Sequence, residues 1–535
     1  MTAPPSPEGS RSVRGIRVLR NVVTNYLRLI LTAGVALVLT PLMVRGLGDR
    51  DYGLWTTVFS LTGYFGLFDQ GIRPSLVRYV SRDYAVRDFD GLSRTVSSAI
   101  ALYTAVGVVT MLFAAFVGSH ASGWIPMDPE LHAVAPTLVL LVGATLALGF
   151  PLGVFGAVLS GLQRYDVANG IGMAISLVRP VAFVGVLRAG GGLIELAWAS
   201  LIVNLLGHVW SWWAARGLLP EVRVSPGLVS KKQLRQIGSY GGWALTGALA
   251  SNLSFQTDAL VITSFVGAAL VTPFSLGSGL VDNARQLVTG AAFVLSPTAS
   301  EMDTLGEREK LRHMLTSGSR YAVLVSWPVL LGLIVFGANL LTTWVGPQYA
   351  SAAALMVALA IPTMVSLPQA ISSSLLFGIG RHKGVVLLSL ASAVANLGLS
   401  VWWAGHPGVM TLLVGEGDMA RLMGVAMGTA IPQFFLSGLA TAWFACRVLD
   451  MPFGRYLWSG LLQPGLVTMA FLPVALAVQA RWHPVGWLPI FGTCAAGWVV
   501  FALAAWVWGI PASDRPRWSR MFGGLVKPRA GEGTP

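Results

Sequence analysis

Fourteen apolar runs, each about as long as a bilayer is thick, constrain this chain more than any other feature. They fall near 21–44, 52–77, 95–118, 133–160, 167–188, 193–215, 237–265, 270–298, 317–344, 351–379, 384–404, 421–446, 456–480 and 485–510. About twenty apolar residues cross the hydrocarbon core as a helix. The runs are continuous rather than alternating, so they read as helices and not as barrel strands. The expected fold class is therefore all-α, a polytopic membrane protein with about fourteen transmembrane helices. Only 11% of the residues are charged, against roughly 25% in soluble domains. The first run follows a basic, polar segment and is too long for a signal-peptide core, so it reads as a retained span.

The positive-inside rule tests this segmentation independently. With the amino terminus placed in the cytoplasm, 27 of the 36 Lys and Arg fall in cytoplasmic segments. Five (Arg45, Arg50, Arg188, Arg421, Arg481) fall outside, and Arg28, Arg73, Arg179 and Arg285 lie within spans. A wrong helix count would scramble this alternation, so both termini are expected in the cytoplasm. The formal charge of +13 is spread over short connections, which suits anionic lipid and topology rather than nucleic acid. Two cysteines, Cys446 and Cys494, exclude a disulfide scaffold and a thiolate metal cluster. No cofactor motif is present, and no HExxH, phosphate loop or nucleophile elbow supports an enzyme.

A weak internal repeat recurs at an offset of about 219 residues. A basic lead-in (Arg14, Arg17, Arg20; then Lys231, Lys232, Arg235) precedes a long helix, a glycine turn (Gly48; then Gly267) and a second helix. Repeated halves are common in secondary transporters. Intramembrane charges gather on the repeated spans: Arg28, Asp69, Arg73, Asp258, Asp282 and Arg285, with Arg179 apart on span 5. An ionised side chain at a span centre costs about 2.5–3.5 kcal/mol, so it usually faces a cavity or a partner. Ser275, Ser278, Asp282, Arg285 and Thr289 form one stripe at helical spacing, as do Asn21, Asn25 and Arg28. Asn252, Gln256 and Asp258 form a looser cluster. By depth, Arg28 and Arg73 are expected nearer the cytoplasmic face, Asp282 and Arg285 near the midplane, and Asp258 nearer the outside. Arginine suits a phosphate because its planar fork makes paired, charge-assisted hydrogen bonds.

A structural reading stands beside the functional one. Asp69 with Arg73, and Asp282 with Arg285, are spaced to form neutral pairs that merely permit insertion. Arg73 at a span end is placed to snorkel toward the interface. Arg179 precedes Pro180, and a proline frees a carbonyl that an arginine can bind. His208 reads as a packed, satisfied histidine.

The stretch 37–82 resembles the amino-terminal signature of bacterial polysaccharide flippases, relatives of the multidrug and toxin extruders and the lipid II flippases. The matching features are Pro41, Gly46 and Gly48 ending span 1, a turn at Asp51-Tyr52-Gly53-Leu54-Trp55, and a break at Asp69-Gln70-Gly71 before Arg78-Tyr79. Gln256–Gly267 and Trp344-Val345-Gly346 through Ala353 match as well, whereas the connection at 405–420 is longer than the pattern. The resemblance implies two pseudo-symmetric six-helix lobes around a central cavity plus two accessory helices. The boundaries are 1–20 (cytoplasmic segment), 21–216 (N-lobe), 217–236 (linker), 237–446 (C-lobe), 447–510 (accessory spans) and 511–535 (cytoplasmic tail). It implies flipping of a lipid-linked oligosaccharide, carried on polyprenyl pyrophosphate, by alternating access. The partners it implies are membrane lipids and, as an expectation, a polysaccharide polymerase or glycosyltransferase complex. Arg28, Arg73, Arg179, Arg285 and Asn25 then become substrate-binding candidates. Asp69, Asp258 and Asp282 become ion-coupling or charge-pair candidates.

Three rival readings stand beside this one, among them a lipid scramblase or assembly scaffold without coupled transport. A drug or metabolite antiporter of the same superfamily shares the fold, though typically with twelve spans. A membrane glycosyltransferase or polymerase is suggested by Asp49-Arg50-Asp51, an acidic triplet in a first external loop, but a loop of about seven residues is too short to build a donor site.

Overall fold

The structure, a computed structural model, describes residues 7–124, 129–292 and 295–509. The side chains of Arg14, Arg17, Arg20, Asn21, Asn25, Gln70 and Asn252, and the tail 511–535, lie outside the described residues. Every regular element among the described residues is helical. Among the described residues, eleven helices are long and apolar enough to cross a membrane. The three other spans expected from the sequence, 52–77, 237–265 and 270–298, each contain side chains outside the described set.

The first helix, α1 (Pro7–Ala85), holds two spans joined at a break at Gly48 (φ 77, ψ 169). It is followed by α2 (Phe89–Trp124), α3 (Pro129–Gly161), α4 (Tyr165–Arg188) and α5 (Leu193–Leu218). Then come α6 (Lys231–Phe265), a short 3₁₀ turn (Ala268–Leu270), α7 (Val271–Ala292) and α8 (Leu295–Thr304). Next are α9 (Arg308–Trp344), α10 (Ala353–Ser366), α11 (Gln369–Gly378) and α12 (His382–Gly405). The apolar helices Asp418–Val448, Phe453–Trp482 and Trp487–Gly509 complete the described chain.

The motif expected as a turn and the one expected as a break are both helix. Asp51–Trp55 and Asp69–Gly71 are helical throughout, and a single residue, Gly48, reverses the chain, so no external loop holds Asp49-Arg50-Asp51. The connection at 405–420 carries a short helix, Gly408–Val414.

The reversals share one backbone device. Gly48, Gly267 (φ 130, ψ 153) and Gly346 (φ 136, ψ 161) take positive φ with extended ψ, a region essentially closed to residues with a Cβ. Gly267→Ala should therefore lower stability by about 1–3 kcal/mol, although a Cβ there would meet nothing within 4 Å. Gly34→Ala, in equally open space within α1, should stabilise by up to about 1 kcal/mol. Thermal unfolding of the two purified variants checks the opposite signs.

The chain forms two compact units. One runs to Ser275 and includes Ser400–Val425; the other comprises Leu276–Leu399 and the chain from Ala426 on. In the first unit, two apolar clusters stack along the same five helices, α1 to α5. One gathers Leu54, Trp55, Leu138, Phe183 and Leu196. The other gathers Leu76, Val96, Tyr103, Val154, Ile171 and Ala215. The second half of α1 also meets α6 through hydroxyls: Thr57 Oγ1 lies 2.6 Å from Thr263 Oγ1, and Tyr64 Oη lies 2.7 Å from Thr257 Oγ1. Thr57 also donates to its own helix at Gly53 O (2.8 Å), as Thr263 does at Ala259 O (2.7 Å).

The second unit has a core of Leu311, Leu315, Val323, Leu375, Leu376, Ala442, Ala445 and Leu461. Buried Tyr456 is satisfied there by Ser319 (2.8 Å) and Gln369 (3.0 Å).

Candidate functional site

Between the two apolar clusters of the first unit the same helices turn polar. Among the described residues, members of the two clusters are separated on α1 by the stretch from Phe59 to Ile72, on α3 by that from Val142 to Leu146, on α4 by that from Ile175 to Phe183, which holds Arg179, and on α5 by that from Ala199 to Ala214, which holds Ser200, Asn204 and His208. A cavity of about 340 Å³ occupies this level, lined by Asp69 and Arg73 of α1, Thr145, Gly149 and Gly153 of α3, Arg179 of α4, and Ser200, Asn204 and His208 of α5. Its place between the clusters puts it near mid-depth.

Each charged side chain has a local reason to point there. Helical side chains lean toward the amino-terminal end of their helix, which for the second half of α1 is the Gly48 end. Arg73 thus leans back toward Asp69, one turn earlier, with Nη1 3.6 Å from Oδ2. Its guanidinium turns into the cavity rather than snorkelling toward the end of the helix. Tyr103 of α2 donates to Asp69 Oδ1 at 2.8 Å. Arg179 ignores the carbonyl freed by Pro180 and reaches across to α5, donating from Nη2 to Asn204 Oδ1 at 3.0 Å. Asn204 is itself anchored through Nδ2 to Ser200 O (2.7 Å), while Arg179 Nε is buried with no hydrogen-bond partner among the described residues.

Glycines on α3 make the room. A Cβ on Gly149 would stand 3.2 Å from His208 Nε2, and one on Gly156 would stand 3.5 Å from Arg73 Nη2. His208 is therefore not the packed core histidine expected; its ring faces a glycine groove beside Asp69 and Arg73. Ser200, Asn204 and His208 recur every four residues within an apolar run, a polar stripe on α5 that the search for charges passed over. With two arginines against one aspartate, the cavity favours an anion. Its volume admits one charged group rather than a whole oligosaccharide.

The other sequence candidates are not gathered here. Arg28, exposed on α1, lies against Gly172 of α4, whose Cβ would stand 3.3 Å from Arg28 Cδ. One turn earlier, Thr24 accepts from Asn169 at 3.2 Å. Asn25 lies on this stretch, its side chain outside the described residues. Asp258 is buried on α6, next to the Thr257 that meets Tyr64. In the second unit, Arg285 Nη1 pairs with Asp282 Oδ1 at 3.2 Å, and Nη2 lies 3.5 Å from Thr363 Oγ1. Gln433 completes that polar patch by donating to Thr363 (3.0 Å) and Ser366 (2.9 Å). No group of three or more metal-ligating side chains occurs among the described residues.

A multi-pass helical protein with a cationic cavity at mid-depth has the character of a membrane transporter. The chain belongs to the polysaccharide biosynthesis protein family, whose model matches residues 18–303. A candidate O-antigen transporter of Shigella flexneri is 21% identical over 440 residues, covering 81% of this chain and 99% of that protein. An archaeal membrane protein, MJ1068 of Methanocaldococcus jannaschii, is 20% identical over 85% of this chain and 89% of its own length. Among solved structures, the lipid II flippase MurJ in an inward closed conformation superposes with a TM-score of 0.66 at 11% identity, over 95% of this chain and 100% of that one. An inward-facing multidrug resistance MATE family transporter of the MOP superfamily gives 0.63 at 15% identity, over 80% and 98%. The chain therefore shares its fold with these two transporters.

Proposed function

We propose that this protein moves a lipid-linked oligosaccharide from the inner to the outer leaflet of the bacterial cytoplasmic membrane by alternating access, for assembly of a surface polysaccharide. The cationic cavity carries the reading: Arg73 and Arg179, placed at mid-depth in a family devoted to polysaccharide biosynthesis, suit the pyrophosphate or an acidic sugar of such a substrate. Arg28 and Arg285 serve as further cationic contacts along the path, with Asn25 beside Arg28. Asp69, Asp258 and Asp282 are the candidates for ion coupling. Both termini face the cytoplasm, and a polymerase or glycosyltransferase complex acts on either side of the transport step.

A deletion strain tests this reading. Lipid-linked oligosaccharide extracted from its membranes should rise several-fold, with the sugar inaccessible from outside, and the wild-type gene should reverse the rise. Unchanged levels of that intermediate would remove the proposal. Altered drug sensitivity with no build-up would favour the antiporter reading, which the MATE-like fold keeps in play.

A further inference from the structure

The second unit carries a polar pocket far from the charged patch around Arg285 in sequence and of different character. Glu309, Arg312, His313, Thr316, Ser317 and Arg320 recur at helical spacing on the first turns of α9 and form one wall. Asp450, Met451, Pro452, Arg455 and Ser459 form the other, around a volume of about 370 Å³. Both walls lie at the polar ends of membrane-crossing helices, at headgroup level. The Lys and Arg distribution assigns this end to the cytoplasmic side.

The acids of this pocket are already engaged. Glu309 accepts from Arg312 Nη1 at 2.6 Å, and Asp450 accepts from Arg308 Nη1 at 2.6 Å. Arg312 is equally committed, fastening the two walls through Leu449 O (2.7 Å) and Asp450 O (3.0 Å). What remains is an excess of donors. Arg320 spends Nε and Nη2 on Ser459 O at 3.1 Å, which leaves Nη1 without a partner among the described residues. The exposed Arg455 guanidinium has no hydrogen-bond or ion-pair partner among them either, and His313 is exposed beside it. On the same segment as Arg455, Trp458, Leu462 and Leu466 are exposed along the span. Aromatic residues belong at the bilayer interface and leucines below it, so a tail path continues from the pocket into the hydrocarbon.

We propose that this pocket binds the phosphate headgroup of an anionic membrane phospholipid, with Arg455 and Arg320 on the phosphate and the acyl chains along Trp458, Leu462 and Leu466. Basic pockets between membrane helices on the cytoplasmic side recognise lipid headgroups by this chemistry, and the paired donors of arginine match phosphate oxygens. The site is independent of the transport cavity.

The test uses the full-length protein, purified in detergent and stripped of lipid, with native mass spectrometry counting bound molecules. The probes are dioctanoyl phosphatidylglycerol, dioctanoyl phosphatidylcholine and inorganic phosphate. Phosphatidylglycerol should bind at least tenfold more tightly than the other two, and Arg455→Gln should weaken it about tenfold. That substitution breaks no contact within the protein. Arg320→Lys keeps the charge and a bond to Ser459 and should weaken binding less. Equal binding of the two lipids, or unchanged binding by Arg455→Gln, would overturn the proposal. Phosphate binding as tightly as phosphatidylglycerol would overturn the lipid assignment and leave an anion site.

Discussion

Arg73→Ala should cut export of the lipid-linked oligosaccharide to a tenth of wild type or less while the protein still folds and inserts. Folding survives because the pair it breaks is half-exposed, with Asp69 at 37% and Arg73 at 44%, and such pairs contribute about 0–1 kcal/mol. Tyr103 still donates to Asp69 after the change. Transport fails because the cavity loses its cationic excess: Arg179 is left balanced by Asp69. Arg73→Lys retains the charge without the planar fork and should fall between the two. The readout is lipid-linked oligosaccharide per unit of membrane-inserted protein in the deletion strain carrying each variant. Full export by Arg73→Ala would take this arginine out of the substrate path.

Gly53→Ala should have the largest effect on folding of any single methyl addition in the first unit. The Cβ would land on the carbonyl oxygen of Ala268, with the carbonyl carbon 2.7 Å away. Neither side is a flexible side chain that can rotate aside. Gly53 lies in the helix after the Gly48 break, and Ala268 opens the 3₁₀ turn after Gly267. Thr272 Oγ1 ties the two together through Asp49 O at 2.7 Å. Overpacking commonly costs 1–3 kcal/mol when side chains can adjust, and here backbone meets backbone. The expected result is little or no monodisperse protein on fluorescence-detected size exclusion, whereas Gly34→Ala should elute as wild type. Normal yield and thermal stability of Gly53→Ala would show that the two helices do not approach so closely.

How much of this was legible in the sequence depends on how local the physics is. Span length and the placement of Lys and Arg are set by the bilayer alone, so the helical class and the reversals at Gly48 and Gly267 could be read directly. Gly53 was read as part of a turn because glycine is the usual turn residue; its actual role, close backbone approach, depends on a partner more than two hundred residues away. The Asp69–Arg73 and Asp282–Arg285 pairs follow from i,i+4 and i,i+3 spacing on one helix. The direction of Arg179 does not, because it depends on α4 packing against α5 with Asn204 opposite. His208 was underweighted for a related reason: a neutral ring in an apolar run resembles core until the glycines of α3 facing it are known. The Ser200, Asn204, His208 periodicity was the available signal.

The hydroxyl contacts between the second half of α1 and α6 carry a mechanical consequence that follows from counting protons. Thr57 and Thr263 own one hydroxyl hydrogen each, yet three close oxygen–oxygen approaches compete for them. If the helices separate, each hydroxyl falls back on its own carbonyl and no donor is stranded in hydrocarbon. A leucine pair would lose its packing on separation, whereas these two hydroxyls would keep a hydrogen bond each.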